Sequence, residues 1–594
     1  VQHRHQSAAA VSENHSATVS GCRNNAADHA GISGAIERSQ GRKSSFLKKR
    51  SKKLSLPGGS NPIRIGPRTP PSKSFLVLLC KKEHSFVSVY AIITFLVLTP
   101  IFAVRVPCLG DYLNHLARLH ILTSIGHSPA LRQFFEPRWQ IVPYFGMDVP
   151  VAALTHIMDI YQAGRIFVAV CVLMPVLAAV SLHYALYRRI GLAPALAFLL
   201  CYNFVLALGF LNYLFSAALA VMLFAAWIAA AHWPLWRRAA VFPALALIIY
   251  FSHVFAFVAY GLLLIGYELG RGWTRGRSAW RITAADVAAA GAQAILPVIL
   301  TLVLHTASTY GTEHVTRYGS FADRVGAVIS PVYFPGGDPA LVGAFVLAPL
   351  LGLLLARGMR LPRAIWPALA LVAAAALAVP GMLLNVWGAE FRLPLVAAMV
   401  LAGAARPRPG FGRRSAVLVL TALVALIGAR VWTATALLTA LDTQVAHMRQ
   451  LVTQLPRGAR LLVVDGPPDA PGRLAKLAII GHMSLVAAID RDAFVPLLFT
   501  GTTPLRLLPT MQNSASQGVP AISVAMLRDG FARPAPSGLL PAYKDGAQMY
   551  WLGWPQKFDD VLITHYGGAI GPLPPVLRRV AGNEVATLYS IQTK

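Results

Sequence analysis

Long apolar runs alternate with short polar loops from residue 84 to about residue 438. The runs fall at about 85–105, 164–187, 192–208, 213–231, 239–269, 283–304, 339–356, 364–384, 393–404 and 415–436. A hydrocarbon layer about 30 Å thick needs roughly 20 apolar residues in a helix. These runs are continuously apolar, whereas a spanning strand alternates apolar and polar residues. They therefore predict helices, which satisfy their own backbone groups in lipid. The run 239–269 is too long for one span, and basic residues flank both ends: Arg237 and Arg238, then Arg271, Arg275, Arg277 and Arg281. It reads as two short helices turning near Ser252 and His253. The expected fold class is thus a polytopic α-helical membrane protein with about eleven transmembrane helices.

Arginines occur almost wholly on every second loop: Arg188 and Arg189, Arg237 and Arg238, Arg357, Arg360 and Arg363, then Arg406, Arg408, Arg413 and Arg414. Positive charge marks the cytoplasmic side. Lys81 and Lys82 precede the first span, so the N-terminus is expected inside and the C-terminus outside. Loops 106–163 and 305–338 then belong to the outer face. Residues 1–83 are polar and basic, without helical apolar periodicity, and are expected to be a disordered cytoplasmic tail. They do not open like a signal peptide, having no apolar core or small-residue cleavage site. Past residue 439 the pattern changes. Arg460–Asp465, Asp560–Thr564 and Glu584–Ile591 read as strands among Pro and Gly turns, which predicts a small α/β extracytoplasmic domain over 439–594. The transmembrane domain spans 84–438.

Composition sharpens one point. The chain has 594 residues, 56% of them hydrophobic and 13% charged, against about 25% charged in ordinary soluble domains. The net charge of +29 would suit a nucleic-acid binder. However, about 15 of the 53 Lys and Arg lie before residue 84, and most others edge apolar runs, so the charge reads as topology signals and no nucleic-acid partner is expected. Membrane lipids are the expected contact. The five cysteines, Cys22, Cys80, Cys108, Cys171 and Cys201, have no metal or redox spacing.

Chemistry concentrates at the exit of the first span, Arg105-Val-Pro-Cys-Leu-Gly-Asp111-Tyr-Leu-Asn114-His115-Leu-Ala-Arg118. With a helix starting at Asp111, the side chains of Asp111, Asn114, His115 and Arg118 share one face by i, i+3, i+4 spacing. Asp after Gly is also an ordinary helix cap. A second cluster, Glu390-Phe391-Arg392, is squeezed between two spans on the outer side, where ionisable groups usually face a cavity. The outer loop carries His305, Tyr310, Glu313, His314, Arg317 and Tyr318 without ligand spacing for zinc. His253 at its turn is expected to satisfy the turn's backbone. Asp465, His482, Asp490, Asp492 and His565 are scattered and form no triad pattern. The motifs GxSxG, GxGxxG, HExxH and the phosphate-binding Walker loop are absent. That argues against an ATP-driven pump, a Rossmann enzyme and a zinc protease of the usual kind.

An acidic residue just past the first span, a long first outer loop, short paired spans and a C-terminal extracytoplasmic domain together resemble the GT-C superfamily of integral-membrane glycosyltransferases. The stretch GDYLNHLARLHIL is also similar to bacterial multi-pass membrane proteins near that superfamily. The paired acidic motif common in better-known members is absent. The resemblance implies a lipid-linked sugar donor carried on polyprenyl phosphate, an active site on the outer face of the bacterial inner (plasma) membrane, and inversion at the sugar carbon. It implies Asp111 as base or ligand to a divalent metal, with His115 orienting it. Arg392, with Arg105 or Arg118, would hold the phosphate, Glu390 would position the acceptor or Arg392, and Asn114 would contact substrate. Two other classes stand beside this reading: a carrier or flippase for a lipid-linked glycan or solute, and a non-catalytic envelope assembly protein.

Overall fold

The computed structural model describes residues 84–138, 144–303, 316–336, 338–384, 386–466, 480–500, 504–516, 521–534, 540–541 and 548–592. The basic tail and His305, Tyr310, Glu313 and His314 lie outside the described residues.

The apolar runs form helices α1 (His84–Phe102), α3 (Ile160–Tyr187), α4 (Leu211–Ala229), α5 (Leu235–Ser252), α6 (Val254–Arg275), α7 (Trp280–Ala292), α8 (Ile295–Val303), α9 (Asp338–Gly358), α10 (Trp366–Ala378), α11 (Arg392–Ala404) and α12 (Arg413–Val452), while α2 (Tyr112–Ser124) follows the first run. Among the described residues, six helical stretches are long and apolar enough to cross a membrane: 160–187, 211–232, 235–252, 254–275, 277–303 and 413–452. Four shorter apolar helical stretches, 87–102, 193–207, 343–354 and 363–378, accompany them. The chain is a multi-pass membrane protein.

Local chemistry sets several ends. Asp159 caps α3, its carboxylate accepting from the N–H groups of Tyr161 and Gln162. Arg188 closes the same helix in the left-handed region, at φ 54°. The run 239–269 breaks at His253, whose extended backbone (φ −169°, ψ 123°) separates α5 from α6 and whose ring accepts from the Phe255 N–H. The run at 192–208 does not make one regular helix. Ala193–Leu200 is a 3-10 helix, and Phe204–Ala207 is a single turn capped by Asn203. Eight 3-10 residues rise only about 16 Å. All eight are buried, which is where irregular backbone is tolerated at membrane depth.

Helix α12 has 40 residues and is about 60 Å long, twice the hydrocarbon thickness. The boundary expected at residue 439 lies inside it. Its far end leads into a five-stranded mixed sheet. The strands are β1 (Leu461–Asp465), β2 (Ile522–Ser523), β3 (Asp560–Thr564), β4 (Leu577–Gly582) and β5 (Ala586–Ile591), in the spatial order β4-β5-β3-β1-β2. β1 pairs parallel with β2 and β3, while β5 runs antiparallel to β3 and β4. β1 and β3 are almost wholly buried, and their interiors, Leu461–Val464 and Val561–Ile563, are continuously apolar. A two-stranded ladder ties this part to the loop between α2 and α3, with Phe135 opposite Leu507 and Pro137 opposite Leu505.

Candidate functional site

Asp111 precedes α2 and does not cap it with its side chain, so its carboxylate is left for other partners. Its backbone is fixed from outside. The Gly110 and Asp111 N–H groups donate to the Ala207 and Leu208 carbonyls at 2.9 Å each. Gly209 makes the approach possible: its φ is +74°, and a Cβ there would overlap the Asp111 amide. The short turn within the 192–208 run thus aims Asp111.

The carboxylate meets a residue 371 positions away in sequence. His482 Nε2 lies 3.3 Å from Asp111 Oδ1. Asn114 determines which ring nitrogen carries the proton. Its Oδ1 accepts from the Phe499 N–H (2.8 Å), and its Nδ2 donates to the Leu497 carbonyl (2.8 Å). Those two backbone partners fix the amide's orientation. The same Nδ2 faces His482 Nδ1 at 3.1 Å, so Nδ1 accepts and Nε2–H is directed at Asp111. Phe499 packs edge-on against both His482 and His115.

His115 is partly exposed, but its Nδ1 is buried with no hydrogen-bond partner among the described residues. Burial first, and then the Arg118 guanidinium, push the imidazole down toward about 4, so it is neutral around pH 7. Arg118 is 1% exposed and bonds Asp148 through two parallel contacts of 2.8 and 2.5 Å. It pins the short helix Asp148–Leu154 to α2.

Glu390 and Arg392 are 6% and 4% exposed. A tight turn at Gly388 (φ +69°), packed on Phe210, leads into them. The Arg392 guanidinium lies 4.8 Å from the ring centres of Phe210 and Phe255 and 5.8 Å from that of Tyr213. It donates to the Trp387 carbonyl at 3.1 Å. Its Nε and Glu390 Oε2 are buried with no hydrogen-bond partner among the described residues. Asp111 and Glu390 are both within electrostatic range of the guanidinium, as is Tyr144. His253 stacks edge-on against Tyr144 (5.1 Å) and Tyr213 (5.3 Å), and is in range of both Arg392 and His115.

Of the residues expected to act, Asp111, Asn114 and His115 therefore gather around His482, with Glu390 and Arg392 beside them across Gly209 and Phe210. Arg118 faces Asp148. Arg105 lines a different cavity, which Asp111, Glu390 and Arg392 do not border. Sequence reasoning missed His482 as a partner, and nothing in its local spacing marks it. Among the described residues no group of three or more His, Cys, Asp or Glu is placed to hold a metal ion. Asp111 and His482 alone make an incomplete donor set.

No family model matches the chain, and neither does any curated protein. Among solved structures it is similar to ArnT from Cupriavidus metallidurans bound to undecaprenyl phosphate, with 14% identity and a TM-score of 0.44 over 87% of this chain and 98% of that one. ArnT in the apo state gives 13% identity and a TM-score of 0.46 over 88% and 98%. The arabinofuranosyltransferase AftD from Mycobacteria gives 14% identity and a TM-score of 0.37 over 82% of this chain and 40% of that one.

Proposed function

We propose that the chain is a membrane glycosyltransferase of GT-C type that moves a sugar from a polyprenyl-phosphate donor to an envelope acceptor at the outer face, with inversion. In this reading about eleven helical segments cross a bacterial inner membrane, with the N-terminus inside and the sheet of β1–β5 outside. The observation that carries the reading is one carboxylate and one buried guanidinium in mutual electrostatic range. Asp111 faces the N–H of an oriented imidazole, and Arg392 has an unpaired donor in an aromatic box.

The chemistry follows from charge. The acceptor oxygen attacks the sugar's anomeric carbon as the bond from that carbon to the phosphate oxygen breaks, and the acceptor proton passes to Asp111. The electron pair leaves on the phosphate, which is already a good leaving group, so one carboxylate suffices as base. A glycosidase expelling an alkoxide needs two. Arg392 offsets the charge growing on the phosphate, in surroundings that water screens weakly. His482 holds Asp111 in place, and Asn114 holds His482. Glu390 positions Arg392 or the acceptor. Arg118 and Arg105 take no part in this step. Among the described residues the donor set at Asp111 is incomplete for a metal, and no step is routed through one.

The test is Asp111→Asn in membranes containing normal amounts of folded protein, assayed for sugar transfer from polyprenyl-phosphate donors. Loss of about 10²–10⁴-fold in rate is expected for removal of a general base. Unchanged transfer removes Asp111 from the mechanism. Translocation of a lipid-linked glycan without any covalent product would replace the reading with a carrier.

A further inference from the structure

The transfer step above leaves one buried imidazole unused. His253 is 4% exposed and sits where the apolar run 239–269 breaks. Both flanking helices fix its backbone. Its N–H donates to the Ile249 carbonyl at 2.8 Å, and its carbonyl accepts from the Ala256 and Phe257 N–H groups at 3.1 and 3.2 Å. Its side chain caps α6, with Nδ1 accepting from the Phe255 N–H at 3.2 Å. Ser, Thr, Asp and Asn are the usual caps, so the turn does not by itself call for an imidazole.

The cap bond decides the tautomer. A ring nitrogen that accepts carries no proton, so the ring is neutral and its proton is on Nε2. Nε2 makes no hydrogen bond among the described residues. Unlike His115 Nδ1 and Arg392 Nε it is not sealed from water, so it opens on accessible space.

The neighbours of the ring show what that space adjoins. His253 is edge-on to Tyr144 (5.1 Å) and Tyr213 (5.3 Å), with the Phe255 ring at 6.0 Å. The Arg392 guanidinium lies 5.8 Å from the Tyr213 ring and 4.8 Å from that of Phe255. Imidazole and guanidinium thus share two walls of one aromatic box, within electrostatic range of each other. The Phe145 N–H donates to the Phe251 carbonyl at 2.9 Å, which holds Tyr144 against the same break.

The kind of bond on offer selects the ligand group. A guanidinium has donors only, and His253 Nε2 is a donor only. The carboxylates of the site are turned elsewhere. That of Asp111 meets His482, and that of Glu390 lies against Gly381, where a Cβ would come within 3.0 Å of Oε2. Sugar hydroxyls both donate and accept, whereas ionised phosphate oxygens only accept. A neutral N–H also adds a bond without a second full charge, which Arg392 would repel.

We infer that the His253 Nε2–H is a second donor to the leaving phosphate of the lipid-linked sugar, beside Arg392. This rests on the polyprenyl-phosphate reading above. His253 keeps its proton throughout. As the bond from the anomeric carbon to the phosphate oxygen breaks, the electron pair passes to the phosphate, and the hydrogen bond from Nε2 strengthens on the growing charge. The acceptor's proton goes to Asp111.

The experiment is native mass spectrometry of the full chain in detergent, titrated with undecaprenyl phosphate or with undecaprenol. The wild-type chain is expected to retain the phosphate and release the alcohol. Two substitutions separate the two ring nitrogens. His253→Asn keeps the cap, because Oδ1 replaces Nδ1, but its amide nitrogen falls where the ring has Cδ2 and stops short of Nε2. His253→Gln brings an N–H to the Nε2 position but caps poorly. His253→Asn should weaken undecaprenyl phosphate binding about tenfold at an unchanged thermal midpoint, whereas His253→Gln should keep most of the binding at a lower midpoint. His253→Ser, a second cap without the reach, should repeat the Asn result. Full binding by His253→Asn and His253→Ser, or equal loss in His253→Asn and His253→Gln, overturns the role of His253 and leaves the phosphate site standing. A wild-type chain that holds phosphate and alcohol equally overturns the donor reading and this inference with it. Competition by inorganic phosphate at the lipid's own concentration would reveal a site for a soluble anion and would overturn the assignment to the lipid's phosphate.

Discussion

Two buried charge clusters lie in the helical part, and they differ in how completely they are paired. Towards the basic loops, Arg238 contacts Glu268 (3.0 Å) and Asp286 (3.1 Å), Arg271 contacts Glu268 (2.8 Å), and Arg275 contacts Asp286 (2.8 Å). Trp227 adds an indole N–H to Glu268 at 2.7 Å, and Arg238 lies 3.7 Å above the Trp227 ring. Each carboxylate there meets at least two guanidiniums, while the Arg238 Nε is buried without a hydrogen-bond partner among the described residues. In the other cluster Arg392 makes no ion pair among the described residues, and Glu390, Arg392 and His115 each keep a buried polar atom unpaired. A network in which every carboxylate has guanidinium counter-charges holds α5, α6 and α7 together. An open one leaves bonding capacity that a ligand can take up, because unpaired buried polar groups are costly without a partner.

Changes on either side should separate rate from stability. Asp111→Asn should give the largest effect on transfer, as set out above, with little loss of folded protein because the carboxylate is partly exposed. Glu268→Gln should do the reverse. It leaves Arg238 short of a buried carboxylate and should destabilise the protein by about 3–5 kcal/mol, seen as a lower thermal midpoint and lower yield, with normal specific activity in what folds. Arg392→Lys keeps the charge but loses the planar stacking on Phe210 and Phe255. A drop of about 10²-fold in kcat with a smaller change in KM is expected if the guanidinium acts on the leaving phosphate. His482→Gln should cost about tenfold, since Asp111 stays but loses its orienting N–H. Equal loss of activity in Glu268→Gln and Arg392→Lys at matched stability would erase the distinction between the clusters.

The smallest effect concerns pH. The folded protein keeps His115 neutral down to about pH 4, whereas the unfolded chain takes up this proton near 6.5. Between those values the unfolded state binds more protons, so acidification from pH 7 towards 5 lowers stability at this position. His115→Asn should flatten the fall of the thermal midpoint over that window. An unchanged slope would assign the pH dependence to other groups.

The apolar runs made most helices legible, because burial in lipid needs only length and hydrophobicity. The break at His253 was also readable from the basic residues flanking one overlong run. The 192–208 segment was not: its residues are as apolar as a span, and only packing on all sides turns them into a 3-10 helix and a short turn. The site divides in the same way. Asp111 and Arg392 stood out because charge near lipid is expensive wherever it occurs. Arg118 had the same local signal, yet a buried Asp148 thirty residues on pairs with it, and no spacing rule connects the two.

What the sequence by itself determined is therefore the set of apolar helices of a multi-pass membrane protein, written in runs of hydrophobic residues that act residue by residue. Which charges stay open and which are neutralised was decided by tertiary structure alone. The Ala207–Gly209 turn aims Asp111, the Phe135–Pro137 ladder draws the sheet region onto the loop between α2 and α3, and His482 thereby reaches a carboxylate 371 residues away. Pairing energies fall off over a few ångströms, so they depend on which surfaces meet, and the order of residues along the chain does not encode that distance.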